Sequence, residues 1–282
     1  MVRHDLAVSR VHALQGKEGP AVNPLCRTIL LGADGRAARC FVLLHGFTNC
    51  PQQFAQLAQK LHDDGDVVLV PRYPYHGLND RLTRETSRLT TEDLIRFAND
   101  VTDIGQGLGR EVIVAGLSLG GLLAMWLAQH RADVRRAVAI SPVFGLRRLP
   151  TSLVRWAAGS LPDRYLWWDP RAKAELPPDY GYPRFSTRAY GALLGVSRLI
   201  EEGARTRRPK AGSIAVLLNA NEPAVDNGPA LRVVERWRAR GAKVDVRELP
   251  VELGLPHDLI DPGNPAGNVG LVYPIVLDLL NG

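Results

Sequence analysis

Apolar and polar residues alternate along this chain on two scales. Short apolar or β-branched runs fall at Cys26–Leu31, Arg39–Leu44, Asp66–Val70, Glu111–Ala115, Ala137–Ile140, Ser213–Leu218 and Lys243–Leu249, and each predicts a strand. Longer stretches with helical spacing lie between them, at Pro51–Asp63, Thr91–Ile104, Leu119–His130, Pro229–Arg240 and Asn268–Leu280. Several strands are apolar at almost every position, as a parallel sheet covered by helices on both faces requires. The alternation predicts a doubly wound, mostly parallel α/β architecture. Helix-start chemistry agrees: Pro51 suits a first helical position, and Thr90 stands just before Glu92 and Asp93.

One stretch breaks the rhythm. Residues 143–212 contain several prolines, no clear strand, and the aromatics Trp156, Tyr165, Trp167, Trp168, Tyr180, Tyr182, Phe185 and Tyr190. The expectation is a mostly helical cap at 143–212, inserted into a core formed by 1–142 and 213–282. Its aromatics, Trp167 and Trp168 among them, serve either an apolar substrate cleft or the cap's own packing.

Composition narrows the function. With 282 residues and 45% hydrophobic content, the chain can bury a sizeable core. No run approaches the roughly 18 apolar residues of a membrane-crossing helix. The first 25 residues lack the apolar block of a signal peptide, so the default expectation is the cytoplasm. The net charge of +6 is nearly all arginine and is spread along the chain, without the stripe or interleaved aromatics of a nucleic-acid surface. Cys26, Cys40 and Cys50 form no metal-spaced pair. They read as free or buried thiols of a reducing compartment, with one disulfide open because Cys40 and Cys50 both lie near the strand Arg39–Leu44. No metal and no cofactor are expected.

The candidate chemistry starts at Gly116-Leu117-Ser118-Leu119-Gly120-Gly121, between a strand and a helix. There G-x-S-x-G holds a serine at the apex of a sharp turn, with its hydroxyl projecting from the sheet and the helix N-terminus behind it. Upstream, Val42-Leu43-Leu44 runs into His45-Gly46-Phe47-Thr48, where such folds place a second backbone donor. The expected oxyanion donors are the N–H groups of Phe47 and Leu119, with His45 and His76 in structural roles. Of the histidines after Ser118, His130 ends the following helix about three turns away, which is too far to act on it. That leaves His257, in a loop before the last helix, as the general base. The acid is Glu222, in the turn after strand Ser213–Leu218, with Asp226 as the alternative that could equally cap the next helix. The glycines at 105, 107 and 109 precede a strand, which is the wrong context for a phosphate loop.

Together these motifs resemble the α/β-hydrolase superfamily, in particular bacterial carboxylesterases and monoacylglycerol-lipase-like serine hydrolases. The likeness runs through His45-Gly46-Phe47-Thr48, the Pro-x-His-Gly of 74–77, the serine motif, the acid turn and His257. In relatives the acid turn usually reads D-x-x-V, and Glu222-Pro223-Ala224-Val225 falls on it with glutamate for aspartate. Asn49 stands where relatives often have glycine, and asparagine tolerates left-handed backbone. The resemblance implies hydrolysis of small-molecule carboxylic esters with short to medium acyl chains, through an acyl-enzyme and without a cofactor. Acyl transfer, amide or carbon–carbon bond hydrolysis on the same triad, and a non-catalytic ligand-binding member, are the alternatives.

Overall fold

Strands that are apolar at every position need helices on both of their faces, and the computed structural model supplies them. It describes residues 3–147, 154, 160–169 and 178–282; Trp156 and Arg148 lie outside that set. The strands are β1 (Ile29–Leu31), β2 (Ala37–Leu44), β3 (Val67–Val70), β4 (Gly109–Leu117), β5 (Arg136–Ile140), β6 (Tyr165–Trp167), β7 (Arg184–Ser186), β8 (Ser213–Asn219) and β9 (Val244–Leu249). The α-helices among the described residues are α1 (His4–Gly16), α2 (Ala55–Asp63), α3 (Thr91–Leu108), α4 (Leu119–His130), α5 (Thr187–Thr206), α6 (Asn227–Arg238) and α7 (Val269–Asn281).

Seven strands form one sheet in the order β1-β3-β2-β4-β5-β8-β9. All neighbours are parallel except β1, which runs antiparallel to β3. Side chains alternate across it with the period of a strand. Cys40, Val42 and Leu44 face the cluster that holds α1, α3, α4, α5 and α6, while Phe41 and Leu43 face the cluster that holds α2 and α7. Because the central strands are parallel, β2, β4 and β8 end at the same edge, where α/β sheets place their sites.

Several elements extend past or depart from the sequence reading. The Cys26–Leu31 strand begins as a 3-10 turn at Pro24–Cys26 and becomes a strand only at Ile29. Thr90 caps α3 through a full capping box with Asp93, and the helix runs on to Leu108. Gly105 and Gly107 lie inside that helix and Gly109 opens β4. Helix α1 has no counterpart in the sequence reading. It buries only Ala7 and Val11 fully, against α3, a stripe too narrow to register as amphipathic.

The cysteines also depart from expectation. Cys26 and Cys50 form a disulfide, while Cys40 stays a free thiol buried in the sheet. Cys40 points into the helix-covered core, whereas the turn that carries Cys26 packs against the 3-10 turn Pro51–Phe54 next to Cys50. Proximity in space, not position along one strand, decides the pairing.

Within 143–212 the described elements are a two-stranded hairpin, β6 paired antiparallel to β7, and the 20-residue helix α5. The apolar face of α5, including Leu193, Val196 and Ile200, joins the core cluster shared with α3 and α4. No helix among the described residues is long and apolar enough to cross a membrane.

Candidate active site

The turn between β4 and α4 is possible only with glycines. A Cβ on Gly120 would lie 1.8 Å from the Leu44 carbonyl oxygen, and one on Gly116 would lie 2.3 Å from the Gly120 backbone. Helix, strand β2 and strand β4 therefore meet backbone to backbone. This crowding sets Ser118 at φ 57, ψ −109, a strained conformation for a residue with a side chain. The strain is held from both sides. The Ser118 N–H donates to the Ile140 oxygen at 2.9 Å, and its carbonyl accepts from Leu122 and Val143 at 2.9 and 3.2 Å.

The His45–Asn49 loop is organised around one carbonyl. The buried His45 ring accepts from the Tyr73 N–H through Nε2 at 3.3 Å, which places its proton on Nδ1, 2.9 Å from the Gly46 oxygen. Burial holds this imidazole well below the ordinary histidine range, with His76 and Arg72 adding to the effect, so it stays neutral. The Asn49 N–H donates to the same oxygen at 3.2 Å. Because a trans peptide is planar, fixing the Gly46 carbonyl also fixes the Phe47 N–H on the opposite side. Among the described residues, neither the Phe47 nor the Leu119 N–H has another partner. His76 is also buried, with Nδ1 2.9 Å from the Pro74 oxygen, and burial pushes it down to about 4. The left-handed residue of this loop is Thr48, at φ 64, rather than Asn49. Asn49 works through its side chain instead, its Oδ1 accepting from the Cys50 N–H.

Glu222 and His257 meet at the edge of the sheet. Glu222 Oε1 accepts from the Ala224 and Val225 amides at 2.8 and 3.2 Å, and its Oε2 lies 2.8 Å from His257 Nδ1. Burial alone would raise the Glu222 pKa, but the His257 charge, their hydrogen bond and the two amides outweigh it and hold it below the ordinary value. Burial alone would lower the His257 pKa. The Glu222 charge, the hydrogen bond to it and the Asp258 charge together hold it above the ordinary value. Asn219, at the end of β8, donates to the Leu255 and Pro256 carbonyls at 3.0 and 3.1 Å and so ties the acid strand to the histidine loop. Asp226 is the N-cap of α6, accepting from the Gly228 N–H at 2.9 Å.

Ser118, His257, Phe47 and Trp168 all line one cavity of about 770 Å³. Trp168 donates from Nε1 to Thr48 Oγ1 at 2.9 Å and packs on Phe185, with centroids 4.3 Å apart. Of the two alternatives for the cap aromatics, Trp167 takes the packing one: its ring lies beside the Arg184 guanidinium and is not among the residues lining the cavity. Consecutive residues leaving a strand point to opposite faces, so adjacent tryptophans do not share one wall. Gln53 and Asp258, to which no sequence motif assigns a role, also line the cavity. No motif marks Gln53, and the only hint at Asp258 is its place beside the histidine.

Residues 41–262 match the alpha/beta hydrolase family. A thermostable monoacylglycerol lipase from Bacillus sp. (strain H-257) is 28% identical over 167 residues, a stretch that spans 57% of this chain and 61% of that lipase. Among solved structures, a metagenome-derived lipolytic enzyme superposes with a TM-score of 0.70 at 18% identity, covering 92% of this chain and 99% of its own. The monoacylglycerol lipase of Paleococcus ferrophilus follows at 0.66 and 16%, covering 90% and 98%.

Proposed function

The chain belongs to the alpha/beta hydrolase family, and from that premise we propose that it is a serine hydrolase of carboxylic esters with short to medium acyl chains. The observation that carries the reading is the convergence, on one cavity, of a strained serine at a helix N-terminus and a histidine held by a buried carboxylate. Likeness to lipases that act on monoacylglycerols supports an acyl ester as substrate. In this reading residues 143–212 are inserted into a core of 1–142 with 213–282; the hairpin β6–β7 caps the cavity, while α5 packs into the core cluster.

The geometry suggests each step. Glu222 takes the Nδ1 proton side of His257, which leaves Nε2 as a base for the Ser118 hydroxyl. Ser118 Oγ attacks the ester carbonyl as His257 accepts its proton, and the Phe47 and Leu119 amides stabilise the oxyanion. Collapse breaks the bond to the alkoxy oxygen, which leaves as alcohol with the proton from His257. A water deprotonated by the same histidine then attacks the acyl-enzyme, releasing the carboxylic acid and restoring Ser118. The apolar walls, including Phe47, Phe185 and Leu193, suit an acyl chain.

Hydrolysis of p-nitrophenyl esters from acetate to palmitate, with Ser118→Ala alongside, tests this. The expected result is turnover that peaks at a short or medium chain and is lost in the variant. A folded protein that cleaves none of these esters would overturn the ester reading.

A further inference from the structure

Gln53, which is buried, and Asp258, which is half-buried, are polar groups that the steps above do not use, and they join the two loops those steps depend on. Gln53 is 2% exposed, in the 3-10 turn that follows the oxyanion loop. Its Oε1 accepts from the Gly46 N–H at 2.7 Å, and its Nε2 donates to Asp258 Oδ2, also at 2.7 Å. Reversing the amide would set donor against donor and oxygen against carboxylate, so only one orientation fits.

We propose that Gln53 and Asp258 form a positioning bridge that fixes the oxyanion loop against the loop carrying His257. The proposal rests on the serine-hydrolase reading of the site. At one end of the bridge, Gln53 holds the Gly46 N–H, while His45 and Asn49 hold the Gly46 carbonyl. Both peptides flanking Gly46 are thereby locked, and the second of them carries the Phe47 N–H. At the other end, Asp258 is anchored in its own loop, its Oδ1 accepting from the Ile260 and Asp261 amides at 3.4 and 3.3 Å. One peptide separates it from His257. Asn49 makes a parallel strut, its Nδ2 lying 3.3 Å from Asp258 Oδ2 and 3.4 Å from Asp261 Oδ2.

Two apolar side chains would fill this volume at a lower desolvation cost, so packing alone does not call for an amide and a carboxylate. What the pair adds is direction. Rates of this chemistry fall steeply when reacting groups move by fractions of an ångström. The groups facing Asp258 are His257, Asp261, Gln53 and Asn49, with Tyr180, which donates to Asp261 Oδ1 at 2.5 Å, and Tyr273 nearby. Burial, then the Asp261 charge, push Asp258 up to about 6. When it is ionised, its bond to Gln53 is charge-assisted.

The test measures how fast a fluorophosphonate labels Ser118, together with kcat and KM on a p-nitrophenyl ester. Gln53→Leu keeps the volume and removes both bonds. Gln53→Glu keeps an acceptor for Gly46 but sets a second carboxylate against Asp258. In Gln53→Leu, labelling and kcat should fall by roughly tenfold to a hundredfold, with KM changed by no more than about twofold. In Gln53→Glu, the deficit relative to the parent should shrink as pH falls toward the Asp258 midpoint and the two carboxylates share a proton. A simple packing defect gives a deficit that does not depend on pH. Parent-like rates in a folded Gln53→Leu, or a pH-independent deficit in Gln53→Glu, would overturn the bridge. The Glu variant alone decides the matter if the Leu variant does not fold. A parent protein that is not labelled at all would remove the serine-hydrolase reading, and the bridge with it.

Discussion

The elbow around Ser118 and the hairpin β6–β7 border the same cavity and are built by opposite means. At the elbow, backbone packs on backbone, and α4 is buried from Leu119 through Gln129. The hairpin has two strands of three residues each, with Leu166 46% exposed and Trp168 40% exposed. It is fastened to the His45–Asn49 loop by Trp168 Nε1 to Thr48 Oγ1 and by the Tyr182 N–H to the Thr48 oxygen at 2.7 Å. A strained residue persists only where its surroundings over-determine it. Shape around a substrate can be supplied by side chains with far fewer constraints. On the proposed reading, reaction geometry and substrate fit are carried by different parts of the molecule, and changes in each should fail differently.

The sharpest break in that comparison comes from the acid turn, which belongs with the elbow. Glu222→Gln keeps the shape but lets the imidazole take the wrong tautomer. It should lower kcat by about 10³–10⁴-fold in ester turnover, while Asp226→Asn, at a helix cap, should stay within about threefold. Gly120→Ala comes next. Its methyl would meet a carbonyl oxygen in β2, so thermal or urea unfolding should show a loss of at least about 1–3 kcal/mol, as overpacking produces.

A pH profile separates geometry from charge. His257 must be neutral to act as base, and its pKa is held above the ordinary value of 6.5. The acidic limb of kcat/KM should therefore have its midpoint above that value. Asp258→Asn removes a negative charge that favours the imidazolium, so the midpoint should move to lower pH. Linkage gives the companion statement for stability. The lowered Glu222 pKa contributes stability that is lost as pH falls through its folded value. The raised His257 pKa contributes stability that is lost as pH rises through its folded value. The smallest effect is expected in the hairpin. Trp168→Phe should change KM by about twofold to tenfold and shift the preferred acyl length, with kcat on short esters little altered.

The same contrast governs what can be read from sequence. The sheet is legible because strands buried on both faces, such as Phe41–Leu44 and Val67–Val70, are unbroken apolar runs. The serine turn is legible because close backbone contact excludes every residue but glycine at positions 116 and 120. Helical content at 143–212 is expected from sequence, but α5 is not placed within it, although Ala189, Leu193, Ile200 and Ala204 keep helical spacing, because the prolines and aromatics before it mask the period. The Cys26–Cys50 pairing and the Gln53–Asp258 contact join residues far apart in the chain and leave no local pattern. The turn pattern favours Glu222 over Asp226 as partner of the histidine, but both sit in the turn before α6, so Asp226 stays open in sequence. Their hydrogen-bond partners tell them apart.

In the proposed reaction Ser118 carries the acyl group. Acid-quenching the reaction with p-nitrophenyl butyrate during its first turnovers, then mapping the added mass by peptide, tests this most directly. The expected result is one butyryl group on the peptide containing Ser118, and neither adduct nor turnover in Ser118→Ala. An acyl group on another residue, or a Ser118→Ala protein that turns over at the parent rate, would contradict it.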